Sequence, residues 1–256
     1  MVLSFVTASW PFVNGTLTRA TRAPTHGSLE HSGENRGMQR KAGSARQLPR
    51  GRHGLPREQV IASQRDRILD AMADAMAAQG YVNTSVAAVL KRAGVSRETF
   101  YEQFRSKEDC FEAAYARAVE RLVARIAAAA DRHEDAPVDR PDLERMDRLV
   151  TAYLEGLVED PAYARLYLVE VYAVGSKALA TRAQLQASFV ALIAEVLDAR
   201  TDAQRFACIA FAAAVGAMAT ARIAADDLDG LRRLREPLLD MVRRGGALYG
   251  GPPTQD

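Results

Sequence analysis

The sequence predicts an all-α protein of about nine helices, and three observations carry that reading. Apolar residues recur at three- and four-residue spacing from Glu58 to Arg244, and no segment competes with the two-residue alternation of a half-buried strand. Serine, threonine or asparagine precedes several of these runs, and glycine follows some of them, as helix caps require. With 256 residues, 48% of them hydrophobic, the chain has ample material for a core.

Residues 1 to 56 lack a sustained apolar period and are rich in Gly, Pro, Ser, Thr and Arg, so they are expected to form a disordered basic leader. Met38, just before its most basic part, offers a second start. The first periodic run begins at Glu58, carries Ile61, Ile68, Leu69, Met72 and Met76 on one face, and ends at Gly80. A second helix is expected from Ser85 to about Ala93 with Val86, Val89 and Leu90 inward, and Gly94 follows it. Ser96 then caps a very short helix, with Val95 before the cap and Phe100 at the fourth helical position, the spacing of a hydrophobic staple. Ser106 opens a longer helix reaching about Ala130, with Asp109 three residues on and Phe111, Tyr115, Ala118, Leu122 and Ile126 along its apolar stripe. After Pro137 and Pro141 come helices Leu143 to Val158, Pro161 to about Gly175, Ala178 to Ala199, Ala203 to Ala225 and Leu228 to Arg244. Pro237 should kink or divide the last, because proline lacks a backbone donor and collides with the preceding turn.

A formal charge of +2 is close to neutral, so a nucleic-acid partner can be argued only from where the cations lie. Between Arg36 and Arg57 stand seven Arg/Lys and no acidic residue, a local arm suited to phosphate or minor-groove contact or else a solvated tail. Cys110 and Cys208 lie in apolar helical patterns, which suits buried thiols in a reducing interior. The first fourteen residues lack a positive n-region, and no unbroken run of 18 apolar residues occurs. A cytoplasmic protein without a membrane partner is expected. The four histidines, His26, His31, His53 and His133, form no catalytic or metal-binding pattern, and neither HExxH nor a Gly-rich phosphate loop occurs, so no enzyme, metal or cofactor is expected.

The informative stretch is AGVSRETFYEQFRSKE, Ala93 to Glu108. Phe100 and Phe104 project within about 40° of one another, because each helical residue advances about 100°. They should form a buried back against Ile68, Leu69, Met72 and Val89, leaving Arg97 and Tyr101 at the flanks and Glu98, Thr99 and Glu102 outward. Two helices joined by a short turn at Gly94, the second presented on a scaffold, make a helix-turn-helix, whose second helix fits the DNA major groove.

The segment GYVNTSVAAVLKRAGVSRETFYEQFRSKEDCF, Gly80 to Phe111, resembles the DNA-binding region of TetR-type transcriptional regulators. The resemblance extends over about 60 residues, Ala62 to Leu122, with caps, glycine, aromatics and the Ser-Lys-Glu in register. It implies phosphate contact from Thr84 or Ser85, base contact from Arg97 and Thr99, and backbone contact from Tyr101, Gln103 and Lys107 with double-stranded operator DNA. Glu98, Gln103 and Ala88 depart from the family pattern; Glu98 either accepts from a cytosine amino group or is tolerated near phosphate.

The resemblance further implies a DNA-binding domain over 57–122 and a helical effector-binding and dimerisation domain over 123–256. Met146, Tyr153, Tyr167 and Phe189 are candidates for the wall of a pocket for an apolar effector, or else are core. Ala210, Ala213 and Ala217, with Leu231, Leu234 and Leu238, repeat at helical spacing and are candidates for a homodimer face, or else are intramolecular core. The expected function is a ligand-responsive homodimeric repressor. A helical protein–protein adaptor and, at greater distance, an all-α enzyme stand as alternatives.

Overall fold

The computed structural model describes residues 56–130 and 142–250. Residues 1–55 of the leader, the prolines Pro137 and Pro141 and all four histidines lie outside these residues. Among the described residues the structure is wholly helical: α1 (Arg57–Asn83), α2 (Val86–Ala93), α3 (Arg97–Tyr101), α4 (Lys107–Ala130), α5 (Leu143–Glu159), α6 (Pro161–Leu168), α7 (Ser176–Val196), α8 (Asp202–Ala224), α9 (Leu228–Arg232) and α10 (Arg235–Gly245). Short 3-10 turns occupy Glu170–Ala173 and Gly246–Tyr249.

The predicted last helix is two helices, α9 and α10, with the break at Arg233 and Leu234. Pro237 falls in the first turn of α10, where a missing donor costs nothing because those N–H groups have no intrahelical partner. At the other end of the chain α1 is interrupted at Gly80, whose φ of 77° is reached cheaply only without a Cβ. Ile61, expected inward, is exposed: it precedes the stretch of α1 that packs on other helices.

One core runs through the molecule, from Ile68, Met72 and Phe100 at the α1–α3 end through Phe111 and Leu122 of α4 to Leu154, Leu166 and Phe211. α4 therefore belongs to both ends, packing on α1 as well as on α5 and α6. Cys110 is fully buried, and burial pushes its thiol up to about 12; Cys208 is buried too, and both are unpaired. Arg145, 1% exposed, is offset by Glu195, whose Oε1 accepts from both terminal guanidinium nitrogens at 3.2 Å.

α8 is long and apolar enough, with a mean hydropathy of 1.8, to cross a membrane on length and composition alone. Gly216, Thr220 and Arg222 interrupt its apolar residues, so it contains no unbroken run of 18. One side of α8, with Cys208, Phe211, Ala219 and Ile223, is packed into the subunit.

Candidate nucleic-acid interface

The helix-turn-helix is built from local rules. Ser85 caps α2 by accepting from Ala88 N at 3.2 Å, and Gly94 closes it in the left-handed region at φ 65°, its N–H donating to Leu90 O at 2.9 Å. Two residues on, Ser96 caps α3 by accepting from Thr99 N at 3.0 Å. Val95 and Phe100 occupy the staple positions and pack into the same core. Phe100 and Phe104 are 1% and 2% exposed, with ring centroids 5.5 Å apart, and the Arg65 guanidinium lies 4.6 Å from the Phe104 ring. A five-residue helix has little stability alone, so this aromatic back holds it. Arg97 and Tyr101 stand outside, Tyr101 being 48% exposed.

The side chains named from sequence divide into three groups. Ser85, Arg97 and Tyr101 are exposed. Thr99 and Lys107 are half-buried and already engaged: Thr99 Oγ1 lies 2.9 Å from Ser96 Oγ, while Lys107 Nζ donates to Tyr81 O at 3.1 Å and sits 4.0 Å from the Tyr81 ring centroid. Gln103 is half-buried, its Oε1 sealed in without a hydrogen-bond partner. Thr84 corrects the sequence reading. It is 1% exposed and its hydroxyl donates to Gly80 O at 2.8 Å, which ties down the kink after α1 and removes it from any phosphate surface.

Sequence reasoning passed over other cations around the turn. Lys91 and Arg92, in the last turn of α2, are exposed, as is Arg105 after α3. Arg67 of α1 reaches the turn itself, its Nη1 lying 3.9 Å from where a Cβ on Gly94 would stand. Among the described residues none of these four, nor Arg97, is paired with a carboxylate. Their signal was in the sequence, as charges flanking Gly94.

A second missed residue is Glu170. It is 8% exposed, and its Oε2 accepts from Tyr81 N at 2.7 Å, directly after the Gly80 kink. The Tyr81 hydroxyl in turn donates to Glu108 at 3.0 Å. The stretch following α6 is thereby bonded to the end of α1 and the start of α4. A carboxylate within the apolar run LYLVEVYAV was the available hint.

The four candidate pocket residues come together. Met146, Tyr153, Tyr167 and Phe189 line one cavity of about 80 Å3, whose wall draws on α4, α5, α6, α7 and α8. Tyr153 and Phe189 meet edge to face at 6.2 Å. Burial pushes the Tyr167 hydroxyl up to about 12 and raises Tyr153 as well, so both phenols stay protonated. The dimer candidates split instead. Ala210, Ala213 and Ala217 are exposed on α8, alongside Phe206 at 70% and Ile209 at 49%. Leu231, Leu234 and Leu238 are buried within the subunit and so are corrected to intramolecular core. Their spacing marked a buried face without revealing that α5 and α8 of the same chain cover it.

A capped pair of helices with a buried aromatic back and exposed unpaired cations about its turn defines a helix-turn-helix DNA-binding unit. Residues 68–114 match the family model for bacterial regulatory proteins of the tetR family. The fold as a whole agrees. A TetR-like transcriptional regulator from Rhodococcus sp. RHA1 is 23% identical with a TM-score of 0.56, the match covering 75% of this chain and 99% of that one. The fatty acid degradation regulator FadR from Bacillus halodurans is 21% identical at a TM-score of 0.58, over 75% and 97% of the two chains. FadR from Bacillus subtilis, solved in complex with stearoyl-CoA, is 18% identical at 0.53, over 73% and 98%. No curated protein matches the chain.

Proposed function

We propose that the protein is a sequence-specific, ligand-responsive transcriptional repressor that acts in the cytoplasm as a homodimer. The observation that carries this reading is the burial of Phe100 and Phe104 behind α3, with Arg97 and Tyr101 left exposed. Arg97 suits a guanine edge, and Tyr101, Ser85, Lys91 and Arg92 suit phosphate oxygens. We assign 57–122 to DNA binding and the helices beyond to effector binding and dimerisation.

One such unit grips a half-site weakly, so a second copy is needed to span an operator. The exposed apolar side of α8, from Phe206 through Ala210, Ala213 and Ala217, supports pairing with its counterpart, since small residues let backbones approach closely. The aromatic cavity supports an apolar small-molecule effector, and the stearoyl-CoA bound by the Bacillus subtilis neighbour shows that a regulator of this fold can take a long apolar chain. An occupant that shifts α4 would alter the spacing of the two recognition helices.

The test is selection of bound sites from random duplex DNA, followed by gel shift. A near-palindromic site bound about 10³-fold or more over random sequence is the expected result. Uniform binding to all sequences, lost together at high salt, would favour the protein–protein adaptor.

A further inference from the structure

Arginines and lysines beyond α4 that lie near the surface are mostly matched to carboxylates, as in Arg165 with Glu170, Lys177 with Glu112 and Arg235 with Asp147. Arg182 of α7 is not. It lines the aromatic cavity, whose wall contains no aspartate or glutamate. Its guanidinium carbon lies 5.4 Å from the Tyr167 ring centroid and 5.3 Å from that of Tyr172, and one nitrogen, Nη1, donates to Tyr167 O at 3.2 Å. A guanidinium has five N–H donors. The two rings and the carbonyl orient its plane while leaving most of those donors without a protein acceptor among the described residues.

The surroundings repeat the same imbalance. Tyr153 and Tyr167 add phenol groups to the cavity wall. Tyr115, 3% exposed with its ring 5.8 Å from that of Tyr167, has a buried hydroxyl with no hydrogen-bond partner. Gln186 apart, the rest of the wall is apolar, with Met146, Leu149, Val150 and Phe189 among its members. A largely apolar chamber with an oriented cation in its wall and no carboxylate is short of negative charge. Arg182 is half-buried, and a carboxylate offers its guanidinium a bidentate, charge-assisted partner beside the apolar wall.

We propose that the effector is an amphiphilic carboxylate, with its head group on the Arg182 guanidinium and its aliphatic tail between Met146, Tyr153 and Phe189. This rests on the effector-pocket reading above and narrows it to a chemical class. A cavity of about 80 Å3 admits a slim chain only if neighbouring side chains part, which ties occupancy to movement of the helices around it.

The experiment uses the full chain and three eight-carbon probes: octanoate, octanol and octylamine, titrated by calorimetry at low and high salt. Octanoate should bind at least about tenfold more tightly than octanol, with octylamine weakest, as charge-assisted hydrogen bonds to a held guanidinium require. Arg182→Gln should abolish the preference for octanoate while leaving octanol affinity within about twofold, and Arg182→Lys should retain part of it. Equal affinity of the wild type for octanoate and octanol overturns the head-group assignment and leaves an apolar pocket standing. Preference for octanoate that survives Arg182→Gln overturns it too. Binding of none of the three overturns both the assignment and the pocket, whereas the DNA-binding reading is measured separately by gel shift. Should Arg182→Gln not fold, the salt dependence and the Arg182→Lys comparison decide the matter.

Discussion

The cations of the helix-turn-helix region and those of the helices beyond it are used differently. Around the turn, Arg67, Lys91, Arg92, Arg97 and Arg105 have no carboxylate opposite them among the described residues. Further along, Arg125 is paired with Glu159, Arg222 with Asp227, Arg235 with Asp147 and Arg244 with Asp240. Net charge is zero over 57–122 and −4 over 123–256, and neither figure says which individual cations are left unpaired. An exposed cation already neutralised has little left to give a phosphate, while an unpaired one releases counterions when it meets one. The contrast therefore assigns the nucleic-acid surface by pairing rather than by charge density, and Arg182 is notable because it follows the first pattern inside the second region.

Five substitutions, two of them read by salt titration, would break or sharpen this contrast. The largest effect is expected from Phe100→Ala, which removes the buried support of α3. Chemical denaturation should report a loss of about 3–5 kcal/mol, and operator binding should fail with it. Arg97→Ala should leave the unfolding midpoint in place and weaken the selected site by about 1–3 kcal/mol, with relaxed preference at one base pair in each half-site. An unchanged gel shift for this variant removes Arg97 from the interface even if the family assignment stands. Ser85→Ala should cost about 1 kcal/mol of stability through loss of the α2 cap, together with some affinity if the same hydroxyl meets phosphate. For Lys91→Ala, the slope of log affinity against log salt should become shallower by about one, equally for operator and random DNA. Least of all, Arg125→Ala should move stability by no more than about 1 kcal/mol and leave the salt slope untouched, because Arg125 is engaged with Glu159 on an exposed surface. A similar slope change from Arg125→Ala and Lys91→Ala would erase the distinction between the two regions.

The recognition unit was legible because its determinants lie close together in the chain. Ser85, Gly94, Ser96 and the Val95–Phe100 staple are separated by a few residues each, and each acts on backbone groups within its own turn. Thr84 could be misread because a hydroxyl next to a helix start serves equally as a cap or as a phosphate donor, and only its burial distinguishes the two. The leucines of the final helices show the same limit over longer range. Periodicity at Leu231, Leu234 and Leu238 identifies a buried side and is silent about what covers it. Glu170 lay further from reach still, since its partner Tyr81 is 89 residues away.

Sequence alone determined the all-helical class, the caps, the break near Pro237 and the aromatic back of α3, all properties that arise from neighbouring residues through backbone hydrogen bonding and helical period. Tertiary structure decided which cations remain unpaired, which tyrosines share a cavity and which side of α8 is left uncovered. These depend on approach between segments tens of residues apart, where packing of the whole core, rather than local preference, selects the partner.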